Sequence, residues 1–155
     1  MKNNRSIKRR GFTLVELLIV IVVIGVLSAM MMLSSTEAVS SAKASNIVSN
    51  LRNLKTAALA WYADNLDSAD AVNIEGKRDQ ILKYMNNENV PADYKFTGKG
   101  ANNWFVYVNN SDTNVGLKLV GRKNSVGLWI VTAGDDAKSA DLGTTGTGNV
   151  GMFIR

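Results

Sequence analysis

Residues 11–33 read GFTLVELLIVIVVIGVLSAMMML. From Leu17 to Leu33 no charge interrupts the run, and only Gly25 and Ser28 relieve its apolar character. A helix from Phe12 to Leu33 would be about 33 Å long at 1.5 Å per residue. That length matches a hydrocarbon core of about 30 Å. The core helix of a small domain keeps one polar face, and this run has none. The stretch therefore predicts a membrane-spanning helix.

Charge is arranged around that run. The chain carries 18 basic and 13 acidic side chains, a formal net charge of +5. Lys2, Arg5, Lys8, Arg9 and Arg10 all precede Gly11, so the residues after Gly11 hold 13 basic and 13 acidic groups. The excess belongs to a leader and not to a binding face. No dedicated nucleic-acid surface is expected from so even a balance. Glu37 is the first charge after the apolar run. The positive-inside rule then places residues 1–11 in the cytoplasm and residues 35–155 outside.

Composition narrows the chemistry. The chain has no Cys and no His. Disulfides, thiolate metal sites and both Ser-His-Asp and Cys-His catalysis are excluded. The carboxylates Glu75, Asp79 and Glu88 form no recognisable catalytic pattern and read as solvated charges. The chain is not expected to be an enzyme.

A secretory signal places its cleavage site after the apolar stretch. Here a Gly stands before it, at the junction between charge and apolar run, followed by Phe12 and a lone Glu16. The segment KRRGFTLVELLIVIVVIGVL resembles the class III signal of the type IV pilin superfamily. The likeness covers roughly residues 5–35. It implies that a prepilin peptidase cuts between Gly11 and Phe12, that the new amine of Phe12 is N-methylated, and that the apolar helix stays in the product. It also implies that Glu16 attracts the amino terminus of a neighbouring subunit during assembly. Opposite charges attract strongly in a low dielectric, and each is costly when unpaired. A capping box gives Glu16 a purely structural role instead, because Thr13-x-x-Glu16 fits the S/T-x-x-E pattern and the helix dipole favours a negative charge there.

Beyond Leu33 the pattern becomes amphipathic. Ile47, Leu51, Leu54, Ala58 and Trp61 mark one helix face, with Asn50, Arg52, Asn53 and Lys55 off it. One helix from Phe12 to about Leu66 is predicted, its apolar stripe packed on a head. Many pilins carry a Pro near the position of Leu33. This chain lacks it, which leaves Gly25 as the point of helix flexibility, at about 1 kcal/mol relative to Ala.

The remainder reads as a polar connector over 67–76, a short helix over 77–86 carrying Ile81, Leu82 and Met85, and Pro91 in a loop. Strands are predicted at 104–109, 115–120 and 126–132, with a last one at 150–154. The links NSDTN and GRKNS read as turns, which favours a meander of three or four antiparallel strands. The fold class is α+β: a long N-terminal helix packed on a small antiparallel sheet. Three parts follow, namely a cleaved leader 1–11, a transmembrane and assembly half 12–34, and an extracytoplasmic head 35–155 that includes the amphipathic helix 35–66.

Asp135, Asp136 and Asp141 cluster in the Gly- and Thr-rich segment 132–151. Oxygen ligands on a loop suit Ca²⁺. Some related pseudopilins hold calcium in a C-terminal loop, so the resemblance makes these three Asp candidate ligands. The EF-hand spacing is absent, and a solvated loop is the alternative. No other cofactor is expected.

The resemblance implies a structural subunit of a type IV pilus serving adhesion, motility or a related surface function. Its partners would be copies of itself, the prepilin peptidase, the assembly machinery and the membrane. It would be a single-pass protein of the cytoplasmic membrane before processing and part of an extracellular filament afterwards. Within the superfamily the alternative is a pseudopilin of a type II secretion or competence apparatus. Outside it stands a non-assembling, membrane-anchored binding module.

Overall fold

The computed structural model describes residues 11–66, 73–85, 90–98, 103–132, 138–140 and 145–155. The apolar run and the amphipathic segment form one helix, α1 (Leu14–Asp64). The chain divides into two compact units after Glu37.

In the first unit no face of the helix is covered. Every large apolar residue described from Phe12 to Met32 is at least 46 % exposed. The helix is long and apolar enough to cross a membrane, and none of its most apolar window is buried. In water such a surface is unfavourable by roughly 25 cal/mol per Å².

In the second unit α1 behaves as an ordinary core helix. Ala44, Val48, Leu51, Leu54, Ala57, Ala58 and Trp61 are buried, at steps of three and four that keep one face inward. They pack against a five-stranded antiparallel sheet: β1 (Tyr94–Thr97), β2 (Phe105–Asn110), β3 (Leu128–Thr132), β4 (Lys138–Ala140) and β5 (Gly148–Phe153). The strand order is β1-β2-β5-β3-β4. Register places Val106, Met152 and Leu128 in one inward row, and Val108, Val150 and Ile130 in the next. Phe96 and Tyr94 on β1 continue the same rows. Burial pushes the Tyr94 phenol above its ordinary pKa, and its oxygen accepts from Asn50 Nδ2 at 3.2 Å. Phe105, Tyr107 and Val131 form a second buried cluster apart from the main core.

Trp104, just before β2, joins helix to sheet. Its ring lies 6.2 Å from that of Trp61 and meets Tyr62 edge-on at 5.3 Å. The Arg155 guanidinium sits 3.7 Å from the centre of the Tyr62 ring. Backbone bonds Trp104 N–H to Arg155 O (3.0 Å) and Ile154 N–H to Trp104 O (2.7 Å) extend the β2–β5 pairing past the strand ends.

The approach to β5 is pinned without a disulfide. Asn110 is buried, and its Nδ2 donates to Gly146 O at 2.9 Å and to Asp112 O at 3.1 Å, while Oδ1 accepts from Asp112 N–H at 3.3 Å. Beside it, the Gly116 and Gly146 backbones touch. A Cβ on Gly116 would collide with Thr145 O, and one on Gly146, which has φ +62°, would collide with Gly116 O. Close backbone approach of this kind excludes any side chain.

Several expectations are corrected. Residues 115–120 are not a strand: they belong to helix α3 (Thr113–Val120). Asp112 caps it by accepting from Asn114 N–H (2.9 Å) and Val115 N–H (3.2 Å). Val115 and Leu119, one turn apart, are buried, while Leu117 stays exposed. The apolar alternation fitted a strand, but the cap decides for a helix. The expected strand at 126–132 begins two residues later, because Lys123–Val126 form the short α4, closed by Gly127 at φ +71°. The predicted helix over 77–86 is shorter, α2 (Arg78–Leu82). β1 and β4 were not expected, and the last strand enters the middle of the sheet, so the topology is no meander. Ile74, inside the supposed polar connector, is fully buried.

Candidate functional site

The start of α1 is built by three residues and one carboxylate. Gly11, Phe12 and Thr13 precede the helix without regular structure, and all three are exposed, Phe12 to 83 %. Thr13 is the N-cap. Its hydroxyl accepts from Glu16 N–H at 3.2 Å, and Glu16 Oε2 accepts in return from Thr13 N–H (2.8 Å) and from the Thr13 hydroxyl (2.8 Å). This is a reciprocal capping box, in which two otherwise orphaned amide protons find partners. The carboxylate also lies where the helix dipole favours negative charge.

Geometrically the site offers a peptide bond, Gly11–Phe12, in an exposed segment immediately ahead of a rigidly started helix. It also offers a carboxylate held at the first turn through one oxygen, Oε2. The structural role expected of Glu16 is thus realised, and it leaves the side chain at the helix surface. A fixed carboxylate of this kind can receive a cation without first paying to be ordered.

Gly25 lies within the uninterrupted helix, and a Cβ there would meet nothing within 4 Å. Asp135, Asp136 and Asp141, the candidate calcium ligands, lie outside the described residues. Among the described residues no group of three or more acidic side chains is placed to hold a metal ion.

Residues 7–32 match the family described as the prokaryotic N-terminal methylation motif. The chain carries the class III signal of type IV pilins and pseudopilins. With an apolar helix behind it, the class III signal fits a membrane-anchored precursor processed by a prepilin peptidase. The signal indicates a structural, pilin-like protein. No curated protein and no solved structure matches the chain significantly.

Proposed function

We propose that this chain is the structural subunit of a type IV pilus. It is cut between Gly11 and Phe12, N-methylated on Phe12, and polymerised with copies of itself through α1. The observation that supports this reading best is the coincidence at one point of the methylation motif, the exposed Gly11–Phe12 bond and the capped Glu16. Cleavage creates an amine four residues from that carboxylate. In a filament, the amine of one copy pairs with Glu16 of its neighbour, which sets the register of helices whose apolar surfaces would otherwise slide. The surface left bare from Phe12 to Met32 becomes the contact between copies.

Two measurements test the proposal. Mass spectrometry of the mature protein should give an N-methylated chain beginning at Phe12, and a mass beginning at Met1 refutes it. Glu16→Ala should be inserted and cleaved normally yet form no filaments by electron microscopy. Normal filaments from that variant would exclude the proposed pairing. Long surface fibres identify a pilus, whereas short assemblies held at the membrane identify a pseudopilin.

A further inference from the structure

The face of the sheet away from α1 carries a polar groove that the filament reading does not use. It has a volume of about 490 Å³ and is lined by Asp93, Lys95, Tyr107, Asn109 and Asn149. That volume falls among small-ligand clefts, which run from about 300 to 1,000 Å³. The five residues converge because of strand register. Lys95 is the cross-strand partner of Tyr107, and Asn109 is the partner of Asn149, so three strands contribute to one patch at the period-two spacing that keeps them on one face. The backbone beneath is closely packed: between Tyr107 and Trp129 the register sets Gly151, where a Cβ would meet the Tyr107 Cβ at 2.8 Å and a Val131 methyl at 2.8 Å.

The hydrogen-bonding inventory is mixed. Asn109 Nδ2 donates to Asn149 Oδ1 at 3.1 Å. This fixes both amides and directs the remaining amide oxygen of Asn109 and the remaining N–H groups of Asn149 to other partners. Lys95 adds donors, Asp93 adds acceptors, and Tyr107 adds a hydroxyl that serves as either. Burial, with a smaller contribution from the Glu75 charge, holds that phenol above its ordinary pKa, so it stays protonated. Among the described residues that line the groove the charges are one cation, Lys95, and one carboxylate, Asp93. A phosphate, a nucleic acid or an acidic sugar would find no net positive charge among these lining residues. Vicinal hydroxyls, each a donor and an acceptor, match alternating amide, ammonium, carboxylate and phenol groups.

We propose that this groove binds a neutral saccharide, with Asn109, Asn149 and Lys95 as the groups that hold its hydroxyls. The site lies wholly in the head and does not depend on cleavage or filament formation. The full chain, in a detergent without a sugar headgroup, is tested by saturation-transfer NMR with lactose, maltose and N,N′-diacetylchitobiose as neutral probes and sialyllactose as the anionic one. At least one neutral probe should bind, and sialyllactose should bind more weakly. Asn149→Ala and Lys95→Ala, both at solvent-accessible positions, should each weaken binding about tenfold, the equivalent of one lost polar contact, with unchanged Tm. Absence of transfer to all three neutral probes, equal or stronger binding of sialyllactose, or binding untouched by both substitutions would overturn the proposal.

Discussion

Replacing Asn110 tests how the end of the head is held. The side chain is buried at 6 % exposure, and its amide donates to the carbonyls of Gly146 and Asp112. Each such bond is worth about 1 kcal/mol net, and an orphaned buried acceptor adds to the loss. Asn110→Ala should therefore cost about 2–3 kcal/mol. Asn110→Asp keeps the shape and reverses the chemistry, because an ionised carboxylate would face two carbonyl oxygens with no proton to give. At neutral pH that variant should lose about 3–5 kcal/mol, as when a buried charge is left uncompensated. The introduced carboxyl can donate once it is protonated, so its folded-state pKa lies above the unfolded value of about 3.9. The gap to the parent protein should then be smallest below about pH 4 and widen as pH rises from there. Urea unfolding of the full chain in detergent, followed by the fluorescence of the buried Trp61 and Trp104, reads both effects. With an m-value of about 1–3 kcal/mol per molar, Asn110→Ala should lower the midpoint by about 0.7–3 M. An Asn110→Asp midpoint equal to that of the parent at pH 7 would refute the clamp.

Gly116→Ala should destabilise the head although it adds one methyl, because the new Cβ meets backbone that cannot rotate away; a loss of about 1–3 kcal/mol is expected, and an unchanged melt would refute the close approach. The head should also weaken in alkali. Burial raises the Tyr94 and Tyr107 phenols above the ordinary value near 10, and a raised folded pKa gives stability that is complete below the unfolded value and lost as pH rises through the folded one. Urea midpoints from pH 8 to 11.5 should fall above pH 10, and the Tyr94→Phe/Tyr107→Phe pair should flatten that fall; an equally steep fall in the pair would refute the assignment.

The helical part of this architecture was legible because its signals are strong and local. An uninterrupted apolar run and a stripe from Leu51 to Trp61 each have one physical reading, and both helix faces behave as the pattern requires. The capping residues were legible for the same reason, since Thr13 and Glu16 lie within one turn. The sheet was harder. In VGLKLV the apolar alternation suits a strand and the i, i+4 pair Val115/Leu119 suits a helix. The deciding signal was Asp112, two residues into a segment that reads as a turn. The YKFT of β1 is too short to stand out. The central position of β5 follows from pairings some forty residues apart in sequence, which no local pattern encodes. The polar groove was invisible for that reason too: Asp93 and Lys95, Tyr107 and Asn109, and Asn149 become neighbours only through register.

The place of β5 also sets the order in which the head can be made. β2 and β3 are both synthesised before it, yet each hydrogen-bonds to β5, not to the other. Until residues 148–153 arrive, the two halves of the sheet have a vacant lane between them, bordered by unpaired amide and carbonyl groups. Open edges of this kind invite any extended peptide to dock. The chain must therefore be made through residues 148–153 before its head can close. A polypeptide interrupted before Gly148 would present a slot to its neighbours, so completeness of the chain is checked by the fold itself.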